Sequence, residues 1–245
     1  MHSDSSQDSI YATPLSDIVD FKFDDQVVGV FSDMINRSVP GYSTIIKSLG
    51  ILASRYAQAD SRCYDLGCSL GAVTLSMLQQ VRQTNCRFVA IDNSPAMIKR
   101  CREHLQVAND EDTVDLICGD IRDIEIQEAS VVVMNFTLQF IAPEDRQLMI
   151  NRIYQGMKPG GVLLLSEKIS HDDSDTDQQL IDWYYDFKRA NGYSELEISQ
   201  KRSALEKVLI PETFEAHQQR LTTAGFSQVK TWFQCFNFVS MAAIK

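Results

Sequence analysis

The strongest constraint on the fold is a rhythm of short apolar runs, RCYDL, CRFVAID, TVDLIC, SVVVMNF and GVLLLSE, separated by stretches of helical texture. A strand buried on both faces reads as a continuous apolar run, and the helices that link parallel strands cover those faces. The alternation therefore predicts an α/β domain around a parallel sheet. A length of 245 residues suits one large domain or a domain with an insertion. Beyond Glu167 the pattern changes: residues 172–209 read as helices, followed by a helix ending in TTAGF and two strands, FSQVKTWF and CFNFVSMAAIK. Upstream, Ile45, Ile46, Leu49, Leu52, Ala53 and Tyr56 share one helical face after the turn VPGY. The expected organisation is a disordered segment over 1–17, a helical segment over 18–60, and a main domain over 61–245 with a helical insertion at about 172–209.

Composition narrows the partners. A formal net charge of -10 opposes nucleic-acid binding, whose affinity comes largely from cations displacing counterions from phosphates. A small anionic ligand remains compatible if positive charge is focused locally. No apolar run approaches the roughly 20 residues that span a bilayer, and the opening MHSDSSQDSIYATPLSD is polar and acidic, so a soluble, cytoplasmic protein is expected. The six cysteines stand singly, without C-x-x-C spacing or neighbouring His clusters, and read as reduced, mostly buried thiols with no metal. His104 and His217 read as capping or core residues. Lys188, Arg189 and Lys201 read as solvated helix cations, still placed where they could steer a dianionic reactant.

The strongest local motif is YDLGCSLGAVTLSM, with Asp65 and Gly67 at the end of the first strand and Gly71 opening a helix. Glycine allows a sharp turn and close backbone approach to a ligand. The second strand ends in Asp92, followed by NSPAM, where Asn93 or Ser94 caps a helix with Pro95 in its first turn. A third run ends at GDI, with Asp120. Each acid alone fits a cap or a solvated turn. Three acids ending successive strands share the edge where open α/β sheets bind ligands, and Asp92 is placed to hold ribose hydroxyls. Further along, Ser194 and Glu197 form an S-x-x-E capping box. Stepping around the helix that follows, Arg202 falls among Ile198, Leu205 and Leu209, so it is expected to point inward. An inward guanidinium needs an anion, supplied by a protein carboxylate or by a ligand.

The DLGCSLG, DNSPAM and GDI segments resemble the cofactor motifs of class I S-adenosylmethionine-dependent methyltransferases over residues 60–245, with Ser69 where the second loop glycine is usual. A finer resemblance covers nearly the whole chain: MINRSVPGY, YDLGCSLGA, AIDNSPAMI, GDIRDI, NFTLQF, FKRANGYSELEISQKR and WFQCFNF are similar to the carboxy-S-adenosyl-L-methionine synthase family. The resemblance implies a Rossmann-like, seven-stranded, mostly parallel sheet with a C-terminal antiparallel strand pair. It implies conversion of S-adenosyl-L-methionine and prephenate into carboxy-S-adenosyl-L-methionine and phenylpyruvate. A homodimer is implied too, as is a partner enzyme that uses the product to carboxymethylate a tRNA wobble uridine. By the same resemblance, Gly67, Cys68 and Ser69 line the amino-acid end of the cofactor, Asp92 and Asn93 its ribose, and Asp120 and Ile121 its adenine. Tyr42 and Asn135 flank the sulfonium, and Arg202 meets the new carboxylate. Two other readings stay open: a methyltransferase acting on a small carboxylate, and a module that binds S-adenosylmethionine without turnover.

Overall fold

The structure is a computed structural model and describes residues 6–83, 85–108, 110 and 113–245. Two helices come first, α1 (Asp25–Ser38), capped by the Asp24 side chain accepting from the Val27 amide, and α2 (Tyr42–Tyr56). The turn between them needs Gly41: its φ is 70°, and a Cβ there would lie 2.6 Å from the Phe233 ring. Strands β1 (Arg62–Leu66), β2 (Arg87–Asp92) and β3 (Val114–Cys118) alternate with α3 (Ala72–Gln80) and α4 (Pro95–Ala108). Strand β4 (Ala129–Asn135), α5 (Pro143–Gly156) and β5 (Met157–Ser170) follow. The insertion is α6 (Ser174–Ala190) and α7 (Glu195–Leu205). A two-residue strand β6 (Glu212–Thr213), α8 (Phe214–Ala224), β7 (Gln228–Cys235) and β8 (Phe238–Ile244) complete the described elements.

The sheet order is β3-β2-β1-β4-β5-β8-β7, with β6 paired to β5 off this path. Strands β1 to β5 are mutually parallel, and β8 is antiparallel to both β5 and β7. Of the terminal pair only β8 is therefore reversed; β7 runs with the parallel strands, which refines the expected reversed pair. Alternation along β4 explains the two layers. Val131 and Val133 face one core with Ile45 and Leu49 of α2 and Met77 of α3, while Val132 and Met134 face the other with Ile150 and Ile153 of α5 and Leu221 of α8. Within the 18–60 segment, α2 buries Ile45, Leu49 and Ala53 completely in the sheet's own core.

The disorder expected for residues 1–17 does not describe residues 8–15; residues 1–5 lie outside the described part. Asp8 and Tyr11 are buried. The Asp8 carboxylate accepts from the Tyr193 hydroxyl at 2.5 Å, and its backbone amide donates to Asp33 at 2.7 Å. The Gln200 amide of α7 donates to the Tyr11 and Thr13 carbonyls and accepts from the Leu15 amide at 2.7 Å. Further on, the Phe21 amide donates to the Ala204 carbonyl at 2.9 Å. This strap reads as polar because the groups that hold it lie on helices far along the chain.

Strand order reverses between β1 and β4, and the cleft past their carboxyl ends is the expected ligand site of such a sheet. The strap, α1, α6 and α7 wall it into a cavity of about 1230 Å³. That exceeds the roughly 300–1,000 Å³ usual for one small ligand and leaves room for two reactants.

Candidate functional site

One end of the cavity is built by the first loop. The Gly67 and Cys68 amides both donate to the Ile91 carbonyl, at 2.8 and 2.9 Å, which ties the loop to β2. Gly67 has φ 85°, and a Cβ on it would meet the Thr137 side chain at 2.4 Å, so only glycine fits against the loop that follows β4. Ser69 also adopts a left-handed φ of 50°, and its amide donates to Asp92 Oδ2 at 2.9 Å. Asp92 Oδ1 accepts from the Ser94 amide, also at 2.9 Å. Ser94 is the residue that caps α4, through the Met97 amide. Each Asp92 oxygen keeps a second lone pair for a ribose hydroxyl. Burial raises the Asp92 carboxyl.

Gly67, Cys68, Ser69, Asp92, Asn93, Asp120 and Ile121 all line this cavity. Asp120 is gripped by Arg122, whose guanidinium donates to Oδ2 at 2.7 Å, so an adenine amine would share an acid already paired. Asp65 differs from its expected place. It is buried behind the loop, off the cavity wall, where Thr74 Oγ1 donates to it at 2.6 Å. Burial pushes its carboxyl up to about 7.

Next along the cavity come Tyr42, from the first turn of α2, and Asn135, from the end of β4. Asn135 Oδ1 is buried and has no hydrogen-bond partner among the described residues. An unmade bond of this kind is costly unless a ligand completes it. A ligand bringing ribose hydroxyls, an amine and a positive sulfur, as S-adenosylmethionine does, suits this oxygen and the acid at Asp92. Burial and the nearby Asp65 carboxylate raise the Tyr42 phenol, keeping it a protonated donor. Behind these residues Phe136 is held at φ 60°, its amide donating to the Ser166 carbonyl at 2.8 Å. Glu167, fully buried, accepts from the Leu138 and Gln139 amides at 3.0 and 2.9 Å and fixes the turn. Neither strut was visible in the sequence pattern.

The opposite end is cationic, and here the expectation for Arg202 needs correcting. Arg202 lines the cavity but is exposed, and among the described residues it forms no ion pair. The buried arc of α7 is Ile198, Gln200, Lys201 and Ala204. Two causes shift it. Helix α7 ends at Leu205, so Leu209 does not share its period, and the strap covers the side that carries Gln200 and Ala204. The capping box at Ser194 and Glu197 forms as expected.

Lys188 and Lys201, read as solvated, are instead 4% and 5% exposed and line the cavity with Lys168. Arg189 does stay at the surface, paired with Asp186 and Glu195. Spacing held the missed signal, because Lys188 lies four residues after the buried Tyr184 and Lys201 three after Ile198. The thiols also depart from expectation: Cys63, Cys68 and Cys101 are buried, but Cys86 and Cys235 are partly exposed and Cys118 is exposed. His217 is buried beside Arg220, away from the cavity, and its imidazole is pushed down to about 4 by that burial. Among the described residues no cluster of His, Cys, Asp and Glu is grouped to hold a metal ion.

Residues 64–161 match the family model of a methyltransferase domain. Among solved structures, human N-acetylserotonin methyltransferase superposes with a TM-score of 0.59 at 18% identity, over 90% of this chain and 55% of that one. A putative S-adenosyl-L-methionine-dependent methyltransferase from Methanococcus maripaludis superposes with a TM-score of 0.59 at 19% identity, over 95% and 97%. Those identities carry the shared fold. Sequence relatives carry more. The carboxy-S-adenosyl-L-methionine synthase of Shewanella sp. (strain W3-18-1) is 59% identical over 241 residues, 98% of this chain and 99% of the relative. The protein of that name from Shewanella oneidensis is also 59% identical, over the same shares of both chains. With that identity sustained along nearly its whole length, and with the loop, acids and cavity in place, the chain belongs to the carboxy-S-adenosyl-L-methionine synthase family.

Proposed function

We propose that this protein makes carboxy-S-adenosyl-L-methionine from S-adenosyl-L-methionine, with prephenate as the carboxyl donor and phenylpyruvate as the second product. The observation that carries the reading is the polarity of one cavity. Asp92 and Asp120 mark the nucleoside end, the latter paired with Arg122, while Arg202 on α7 lines the cavity with Glu206 nearby on the wall and forms no ion pair among the described residues. A carboxylate forming on the methyl carbon gives a reason for this arginine, and so would a small carboxylate as methyl acceptor, which is why the product must be weighed.

The chemistry balances within the two reactants. Prephenate loses its ring carboxylate as carbon dioxide and its hydroxyl as hydroxide, and becomes aromatic. Hydroxide takes a proton from the sulfonium methyl and leaves as water. The methyl carbon, now nucleophilic, attacks carbon dioxide and carries the new carboxylate. The protein's part is to align the reactants and exclude water. Tyr42, kept protonated, donates a hydrogen bond and does not act as a base. Asn135 Oδ1 faces the positive end of the cofactor, and Arg202 stabilises the carboxylate as its charge develops.

The same reading includes a homodimer, residence in the cytoplasm, and a downstream enzyme that uses the product on tRNA. Among the described residues no helix is long and apolar enough to cross a membrane. The acidic balance of the chain supports a small-molecule reactant in place of direct RNA binding. The test is to incubate the purified protein with S-adenosyl-L-methionine and prephenate and weigh the products. A cofactor gaining one carboxyl, with stoichiometric phenylpyruvate, is expected. Accumulation of S-adenosylhomocysteine alone would show a methyltransferase, and saturable binding without product would show a binding module.

A further inference from the structure

Lys188 is one of three cavity lysines that the reaction as described does not use, with Lys168 and Lys201. It lies on α6, 4% exposed, on the wall of the cavity. Its ammonium sits 5.6 Å from the centre of the Tyr184 ring and 5.3 Å from that of Tyr193. Lys168 of β5 lies 5.0 Å from the Tyr184 ring, and Lys201 of α7 lies 5.5 Å from the Tyr193 ring. Lys201 has partners of its own, Asp8 at 3.6 Å and Ser38 Oγ at 3.2 Å. Among the described residues Lys188 has neither a carboxylate nor a hydrogen-bond acceptor.

The charged groups around it are Lys168, Lys201, Asp8 and Glu197. Arg37 of α1 stacks on Tyr193 at 4.0 Å. The two acids are committed elsewhere, Asp8 to Tyr193 and Lys201, and Glu197 to the capping box. Burial, then the Lys201 and Lys168 ammoniums, push the Lys188 amine down to about 7. Tyrosine faces offset only part of the cost of such a charge. The cluster concentrates positive charge on the cavity wall.

We propose that Lys188, with Lys168 beside it, seats the carboxylate of the donor that is retained in phenylpyruvate, while Arg202 attends the one transferred. This inference rests on the proposed function and adds selectivity to it: a donor with two carboxylates is preferred over one with a single carboxylate.

The test titrates prephenate calorimetrically into protein saturated with S-adenosylhomocysteine, so that binding is read without turnover. Lys188→Met is expected to weaken prephenate roughly ten- to a hundredfold, the range of a lost charge-assisted hydrogen bond, and Lys188→Arg to recover most of it. Affinity for S-adenosyl-L-methionine should stay within about twofold, as the cofactor loop is at the other end. In the wild type, prephenate binding should begin to decline as pH rises past neutrality and Lys188 loses its proton; in Lys188→Arg the decline should start at higher pH, where Lys201 and Lys168 titrate. Removing an unpaired buried ammonium should also raise the Tm of Lys188→Met, showing that it is folded.

Unchanged prephenate affinity in Lys188→Met, or parallel loss of prephenate and cofactor, overturns the proposal. Carboxylated product formed by Lys188→Met at an unchanged KM sinks the seat and leaves the function standing. Lys188-dependent prephenate binding without carboxylated product sinks the function and leaves the seat standing. Failure of the wild type to bind prephenate at all removes both.

Discussion

At the scale of single residues, the loop and the strand-ending acids that line the cavity were legible because their constraints are local. Gly67, Asp92 and Ser94 are each set by a strand ending, a tight turn or a helix cap lying within a few positions of the residue itself. Arg202 was placed less well because its surroundings are set by residues almost the whole chain away: Gln200 of the same helix is buried by contacts with Tyr11 and Thr13. Exposure changes what is expected of Arg202→Ala. It should weaken carboxy-S-adenosyl-L-methionine more than S-adenosyl-L-methionine, and solvent screening places the difference at the lower end of ~1.5–3 kcal/mol. Paired calorimetric titrations measure it. Equal losses for the two ligands would remove Arg202 from the carboxylate.

At the scale of elements, the parallel strands announced themselves as apolar runs, and the capping box fixed the start of α7. Strand β6 did not, since two residues carry no period, and it is held by Arg146, wholly buried, bonding to Glu212. The strap escaped for the opposite reason: its anchors are polar and pair with distant helices. Asp8 is the central one, joining Tyr193, Asp33 and Lys201. Asp8→Ala leaves the Lys201 ammonium buried without its carboxylate, a change of the kind that costs about 3–5 kcal/mol. The Tm should fall by several degrees, and prephenate binding should weaken as α7 loosens over the cavity, both readable by thermal melts and titration. An unaltered Tm would mean that the strap does not hold α7.

At the scale of the whole molecule, a net charge of -10 surrounds an interior whose buried ionisable groups sit far from their ordinary values. Burial raises the Asp65 carboxyl to about 7 and that of Glu167 to about 8. Carboxyls of an unfolded chain titrate near pH 4, so from about pH 4 to 8 the folded state keeps protons that the unfolded chain has released, and these groups lower stability as pH rises. Lys188 and Lys201 are depressed to about 7 and about 8 by burial, against about 10.4 when unfolded. Above neutrality the unfolded chain binds more protons, so these two raise stability with pH up to about 10. The free protein is therefore expected to show a dip in Tm near pH 7–8, measured across buffers at constant ionic strength. A single maximum at that pH would contradict it.

The position of β8 has a consequence during synthesis. Strand β8 follows β7 in the chain yet lies between β5 and β7 in the sheet. Strand β7 therefore cannot join the sheet until β8 has paired with β5. Until Phe238–Ile244 arrives, β5 presents a long apolar border, Val162 to Leu165, to the crowded cell. Sheets with open borders of this kind recruit strands from other chains. For this fold the hazardous interval runs from the completion of β5 to the arrival of β8, when a holdase chaperone has most to protect.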